Sequence, residues 1–466
     1  MKQKIPVIAI FDVGKTNKKL LIFDEEYRVV KEETTSFEEI KDDEGFACEN
    51  IDALTDWILA RFQALKQSDE FQLKAVNFST YGASLVYVDK QGKRLGYLYN
   101  YLKPYPEEVL AGFLSKRGGS IAFAESSSSP VMGHLNAGLQ LYWLKHRKPE
   151  LFSRVDTVLH LPQYLSFLIT GSRVAEMTNL GCHSAMWNFE DMRYHEWLQQ
   201  EGLSEKLATV IKGDSGVACA NECRQETIWV GVGLHDSSAA TIPYLSSFKE
   251  PFVILSTGTW VISLNPFNSE LPTGEELQKG CLSYLTYQGN PVKTSMLFAG
   301  NDHDKQVEAI AQYFNIAPGY LRSMKYNKDL IASLQLRNQS GPPYPFENLN
   351  SPTTPCAFHQ RQLSSFLSAD EAYHQLLLDM LEQQVHSTGM VLKNSPIKHI
   401  YVDGGFCRNN IYMQLLANAF ADKKIFATSM IQGTALGAAL AVHQKWNAWP
   451  LPSQLIKLKE WTALQS

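Results

Sequence analysis

Val7 to Phe11 form an unbroken apolar run, and the polar stretch Asp12-Val13-Gly14-Lys15-Thr16-Asn17 separates it from a second run, Leu20 to Phe23. Runs this short predict buried strands. Asp24-Glu25-Glu26 predicts a turn into a third strand near Tyr27 to Lys31, so the chain opens as a meander. Ile51, Leu54, Ile58, Phe62 and Leu65 then follow a helical period. Ala75 to Phe78 reads as a strand that runs into Ser79-Thr80-Tyr81-Gly82-Ala83, Leu85 to Val88 as another strand, and Lys90-Gln91-Gly92-Lys93 as a turn. Alternating strands and helices predict an α/β architecture.

The same opening recurs near residue 250. Phe252 to Leu255 is an apolar strand, Ser256-Thr257-Gly258-Thr259 a small-residue turn, and Trp260 to Leu264 the return. A boundary near residue 245 follows, dividing the chain into domains 1–245 and 246–466. A long helix is predicted over Ala369 to Leu392, with Ser368 as its N-cap ahead of Asp370 and Glu371. His399 to Val402 reads as a strand entering Asp403-Gly404-Gly405, and helices near Asn410 to Ala421 and Thr434 to His443 close the core. Asn338 to Thr354, rich in Asn, Pro, Ser and Gly, reads as a surface loop between periodic segments.

Composition narrows the class. The 466 residues are 44% apolar and 20% charged with a net charge of −5, as expected of a globular protein of two or three domains. The charge is not blocked, which argues against nonspecific binding to nucleic acid or a membrane surface. No stretch approaches the about 18 uncharged apolar residues that span a bilayer. The short polar start and the early Asp12 do not fit a signal peptide. Seven scattered cysteines fit reduced thiols in a cytoplasmic protein. Cys219 and Cys223 form the only close pair, with no second pair or histidine to complete a zinc site.

The turns carry the candidate chemistry. Gly14-Lys15-Thr16 looks like the end of a Walker A loop, but Ala9 stands where the motif needs glycine, and a strand follows where it needs a helix. A strand-turn-strand cradle is the other reading: a glycine tip lets backbone N–H groups approach an anion, with Lys15, Thr16 and Asn17 adding side-chain donors. A second such tip lies at Thr257-Gly258-Thr259. Asp12 closes a buried strand as either a turn-capping acid or a ligand of Mg²⁺ beside phosphate. Asp236, followed by small residues from Ser237 to Ala240, is either a helix cap or a general base for phosphoryl transfer. His235 is either a satisfied structural histidine or a sugar-hydroxyl ligand. Gly404-Gly405 is an ordinary strand–helix turn or a flat approach for a nucleoside.

Taken in order, the chain carries Asp12-Val13-Gly14-Lys15-Thr16-Asn17, His235-Asp236, Ser256-Thr257-Gly258-Thr259-Trp260, Val402-Asp403-Gly404-Gly405 and Thr434-Ala435-Leu436-Gly437-Ala438-Ala439. From about Ile5 to His443 this set resembles the FGGY carbohydrate kinases, which include glycerol, xylulose, rhamnulose and fuculose kinases. The resemblance implies two ribonuclease-H-like lobes of the actin and sugar-kinase type with a cleft between them, an N-terminal sugar lobe and a C-terminal ATP lobe. It implies that Asp12 positions Mg²⁺ through water, that Gly14, Lys15, Thr16 and Asn17 face the phosphates, and that Gly258 and Thr259 form the second phosphate hairpin. Gly404 and Gly405 would lie at the adenosine, and Asp236 would be the catalytic base. Sugar contacts would come from Tyr81, Gly82, His235, Asp236, Ser237 and Thr294.

Within the family the His-Asp pair, "STGTW", Thr80-Tyr81-Gly82 and "HLPQYLSFLITG" before Glu176-Met177-Thr178-Asn179 are similar to rhamnulokinases and fuculokinases. The implied reaction is ATP-dependent phosphorylation of the 1-hydroxyl of a 6-deoxy-L-ketohexose, L-rhamnulose or L-fuculose. A pentulose kinase, a polyol kinase and a non-catalytic sugar or nucleotide sensor on the same fold are the alternatives. Two features depart from the family pattern. Tyr101-Leu102-Lys103 stands where relatives carry an acid at the sugar, and Lys15 with Lys18-Lys19 makes the first turn more cationic. The expected partners are a small sugar and ATP, with a homodimer as the common oligomeric state.

Overall fold

The structure is a computed structural model that describes residues 4–221, 226–339, 351–430 and 432–464. It divides into two compact units: residues 1–248 with 283–291 and 431–455, and residues 249–282 with 292–430 and 456–466. Cys223 and most of the expected 338–354 loop lie outside the described residues. Among the described residues no helix is long and apolar enough to cross a membrane.

In the first unit the meander forms β1 (Ile5–Val13), β2 (Lys18–Asp24) and β3 (Val29–Thr35). β3 starts later than the sequence pattern predicts. Tyr27 takes a φ of 60°, and Asp24 Oδ1 accepts the backbone N–H groups of Glu26 and Arg28, so the turn runs through Tyr27 before the strand resumes. Helix α1 (Ile51–Gln67) buries the five residues of the helical period, and Asn50 caps it by accepting from the Ala53 N–H. β4 (Phe71–Thr80) lies parallel to β1. β5 (Gly216–Asn221), β6 (Glu226–Gly231) and the two-residue β7 (Leu234–His235) complete the sheet, which runs β5-β6-β4-β1-β2-β3 with β7 on the end of β4. β7 leads into the short helix α2 (Asp236–Ala239).

In the second unit β8 (Phe252–Thr257), β9 (Val261–Asn265) and β10 (Pro291–Leu297) pair antiparallel in that order. The long helix α3 (Ala369–Leu392) starts where Ser368 accepts the Glu371 N–H, and it buries Tyr373, Leu376 and Leu377 completely. Loss of such a cap costs about 1 kcal/mol. β11 (His399–Gly404), α4 (Asn410–Ala419) and β12 (Lys424–Ser429) follow. α5 (Gly433–Ala441) belongs to the first unit, and β13 (Lys457–Trp461) to the second. Here the strands run β10-β9-β8-β11-β12-β13. β8 is parallel to β11, and β11 to β12.

The two sheets therefore share one order over five strands. In each, three antiparallel strands have their first strand parallel to two later ones, as β3-β2-β1-β4-β6 and β10-β9-β8-β11-β12, although a strand over Cys281–Leu285 comes between β9 and β10 in sequence. The doubled opening of the sequence is a doubled α/β core. In each core the C-terminal ends of the parallel strands fall on one side of the sheet, where such sheets place ligands.

Candidate functional site

Register builds the first unit's site. Asp12 on β1 is paired with Ser79 on β4, and His235 on β7 with Thr80. Three parallel strand ends thus gather Asp12, Tyr81-Gly82 and His235-Asp236. Gly82 is forced by packing: a Cβ there would stand 2.7 Å from His183 Cε1 and 2.9 Å from His235 Cδ2. The small residues after Asp236 admit α5, since a Cβ on Gly437 would stand 1.8 Å from the Ala239 carbonyl oxygen.

Neither acid has the simple capping role that its sequence context allows. Asp12 Oδ2 accepts a hydrogen bond from Thr434 Oγ1 at 2.9 Å. Burial pushes its carboxyl up to about 6, against the Thr434 bond, with the Asp236 charge adding to the rise. Asp236 begins α2 but does not cap it. Residue 235 holds the cap position, and Asp236 Oδ1 accepts the adjacent Ser237 N–H at 2.6 Å and faces His235 Nε2 at 3.3 Å. Burial raises it to about 6 as well, although its side chain stays 34% exposed. His235 is buried, and desolvation lowers it to about 4, so it is neutral near pH 7. Ser237 donates its hydroxyl to Asp236 at 3.2 Å.

At the first hairpin tip, the Gly14 N–H is spent on the Asn17 carbonyl at 3.0 Å. Thr16 and Asn17 are exposed there. Lys15 does not stand free for a phosphate, because its Nζ lies 2.6 Å from Glu39 Oε1. The expected surplus of cations is absent too. Lys18 is buried against Glu49 at 2.9 Å, and Tyr81 donates its hydroxyl to the same Glu49 at 3.4 Å. On the sugar side, the Tyr101 ring lies 5.9 Å from Tyr81. Lys103 turns inward to Asp42 and Glu44, each at 2.8 Å, so it is not free for a ligand. Thr294 has no exposed surface and bonds to the Val292 carbonyl within its own strand.

The second unit holds a cavity of about 470 Å³ lined by Thr257, Gly258, Thr259, Gly300, Gly405 and Asn409, with His303, Asp304, Arg322 and Arg408 at its wall. The Gly258 N–H closes the hairpin tip on the Trp260 carbonyl. Gly404 takes a φ of +89°, and a Cβ there would stand 2.1 Å from the Thr257 carbonyl oxygen, so β11 and β8 meet only through glycine. Gly404 lines a neighbouring hollow of about 680 Å³ with Arg408 and Lys457. His303 and Asn409 are fixed through the Tyr373 hydroxyl at 3.1 and 2.8 Å. Among the described residues no group of three or more acids, histidines or cysteines could hold a metal. Asp12 therefore fits only a metal completed by water and a ligand's oxygens.

The FGGY carbohydrate kinase N-terminal domain matches residues 7–242, and the FGGY C-terminal domain residues 249–450. The chain belongs to the FGGY family of carbohydrate kinases. It is 24% identical over 402 residues to a rhamnulokinase of Yersinia pestis (strain Pestoides F), covering 82% of this chain and 78% of that one. A carbohydrate kinase structure from Novosphingobium aromaticivorans superposes with a TM-score of 0.79 at 20% identity, covering 99% and 95% of the two chains. The Plasmodium falciparum glycerol kinase solved with ADP superposes at 0.73 and 16% identity, covering 96% and 91%. The fold is the actin-like α/β fold of this family. The activity class is ATP-dependent phosphotransfer to a sugar.

The structure adds residues to which the motifs of this FGGY kinase gave no role at the site. Thr434 lies inside the small-residue stretch used for the resemblance, yet only the fold brings it to Asp12. His183 and Tyr284 reach the first site from remote segments, with ring centroids 5.7 and 5.6 Å from His235. His303, Asp304, Arg322 and Arg408 come from polar stretches with no distinctive spacing.

Proposed function

We propose that this FGGY kinase transfers the γ-phosphoryl group of ATP to the 1-hydroxyl of a 6-deoxy-L-ketohexose, L-rhamnulose or L-fuculose, in the cytoplasm. The observation that carries the reading is Asp236 at the end of β7, partly exposed, beside the His235–Gly82 wall. The similarity to rhamnulokinases supports the sugar class. In this reading the first unit binds the sugar through Tyr81, Gly82, His235 and Ser237, and Asp236 Oδ takes the hydroxyl proton as that oxygen bonds to the γ-phosphorus and the bond to ADP breaks. The second unit binds the nucleotide, with Gly258 and Thr259 at the phosphates and Gly404 and Gly405 at the nucleoside. Gly14, Thr16 and Asn17 face the transferred group. Asp12, oriented by Thr434, would hold Mg²⁺ through water, and the ion would neutralise phosphate charge.

A pentulose or polyol acceptor is the second reading. It is favoured by Lys103, whose burial against Asp42 and Glu44 leaves the wall near Tyr101 uncharged. An ADP-release screen over L-rhamnulose, L-fuculose, both xyluloses, ribulose, erythritol and glycerol tests both readings. The first expects the highest kcat/KM on a 6-deoxyketose. Sugar-dependent ADP release on none of them would refute both.

A further inference from the structure

We propose that His183 is a specificity-determining ligand of the sugar: its Nε2 lone pair accepts a hydrogen bond from a substrate hydroxyl beside Gly82 and His235. This deepens the kinase reading and rests on it.

A chain of donors fixes the tautomer. The Cys182 thiol carries one proton and donates it to the Asn179 carbonyl at 3.3 Å. Burial holds that thiol far above its usual range, so it stays protonated. Its sulfur is then only an acceptor for the His183 Nδ1–H, 3.4 Å away. A neutral imidazole with its proton on Nδ1 presents a lone pair at Nε2. His183 is neutral, since burial lowers it to about 3. Among the described residues no group bonds its Nε2, and the residue is 8% exposed.

His235 cannot supply the same contact. Its Nδ1 lies 3.5 Å from the Ser238 hydroxyl, and its Nε2 faces Asp236 Oδ1 at 3.3 Å. With the Ser238 hydroxyl donating to Nδ1, the Nε2–H points at the acid, so His235 orients the base and offers a sugar only that shared N–H. Of the two rings packed against Gly82, only His183 has an accepting nitrogen left for a ligand. The Asp236 carboxylate, which faces the neighbouring His235, and this lone pair are two acceptors on the same wall. Lys103, two residues after Tyr101, is held by Asp42 and Glu44. Such a wall takes hydroxyl protons and repels a carboxylate, so the substrate class is an uncharged polyhydroxy ketose or polyol and not a sugar acid.

The test compares His183→Phe, which keeps the ring without the acceptor, with His183→Gln, whose amide oxygen restores one. The readout is kinetics on the best sugar of the screen, with L-rhamnonate and D-gluconate as the acids. The expected result is a sugar KM raised roughly 3–10-fold in His183→Phe, the size of one hydrogen bond to an uncharged group. An unchanged KM for ATP, partial recovery in His183→Gln and no activity of the parent on either acid are expected with it. A merely structural histidine would alter the KM values of all sugars alike. An unaltered ratio of kcat/KM between the best and second-best sugars in His183→Phe overturns the proposal, and so does turnover of an acid by the parent. If the parent phosphorylates no sugar, the kinase reading fails separately, and sugar-induced thermal shifts with the same panel decide His183. The proposal then stands only if a sugar stabilises the parent more than His183→Phe, and falls if none does.

Discussion

Thr434 donates its hydroxyl to Asp12 Oδ2 at 2.9 Å, across 422 positions of sequence. The bond favours the ionised acid against a burial that lifts it to about 6. Thr434→Val removes it and raises the Asp12 carboxyl further, so less of it is ionised at pH 7. The expected outcome is a roughly tenfold rise in the half-saturating Mg²⁺ concentration for ADP release, the scale of one hydrogen bond to a charged group. The gap narrows at pH 8.5, where both proteins hold Asp12 ionised. An equal Mg²⁺ requirement at pH 7 would remove Asp12 from the metal's shell.

Asp236→Asn should reduce turnover roughly 10²–10⁴-fold, the span of a lost general base, with sugar affinity by calorimetry retained. It should also raise the melting temperature at pH 7.5. The sign follows from the carboxyl lying at about 6 in the fold, above its unfolded value of about 3.9. The folded state holds the proton more tightly, so stability declines as pH rises between those values, and above about 6 the ionised acid carries the full cost. An amide never ionises and escapes it. A variant both inactive and less stable would point to a structural role for this acid.

Both acids titrate near pH 6, and each must be ionised for the proposed roles. Log kcat/KM should therefore fall below pH 6 with a slope approaching two, and stay level from pH 7 to 8. In Asp236→Asn the residual activity should fall with a slope of one, through Asp12 alone. A profile flat down to pH 5 would contradict both assignments.

Lys103 should behave as part of the fold. Its ammonium is enclosed by Asp42, Glu44 and the rings of Phe46, Tyr99 and Trp143. Lys103→Met strands the buried Asp42 and should cost about 3–5 kcal/mol in urea unfolding. Its kcat/KM at 15 °C should match the parent. A selective rise in sugar KM without loss of stability would return Lys103 to the sugar wall.

How much of this was legible before the fold is clearest residue by residue. The paired hairpins, the 369–392 helix and its Ser368 cap were readable because apolar runs and caps are local signals. β3 began late because a positive φ at Tyr27 leaves no mark in hydropathy. Asp12 and Asp236 were readable as acids at strand ends, and the partners of Asp236, His235 and Ser237, adjoin it in sequence, but Thr434, the partner of Asp12, arrives through tertiary packing. The lysines misled for the converse reason. Composition counts Lys15, Lys18 and Lys103 as free charge, whereas Glu39, Glu49 and Asp42 neutralise each in turn.

The second unit's glycines separate ligand contact from fold. At Gly258 a Cβ would meet nothing closer than the Trp260 carbonyl oxygen at 3.7 Å, and the backbone is not left-handed, so a side chain has room in the free protein. At Gly404 the φ of +89° and the 2.1 Å approach to the Thr257 carbonyl oxygen leave none. Gly404→Ala should therefore lower stability by about 1–3 kcal/mol, the cost of a strained backbone position. Gly258→Val should leave the melting temperature within 2 °C of the parent. If the hairpin tip cradles the nucleotide's phosphates, the valine intrudes only once ATP arrives. Its KM for ATP should then rise at least roughly tenfold, about the loss of one charge-assisted bond, while sugar binding by calorimetry is unchanged. Equal weakening of sugar and nucleotide, or a variant that binds ATP as the parent does, would take the phosphates away from this tip.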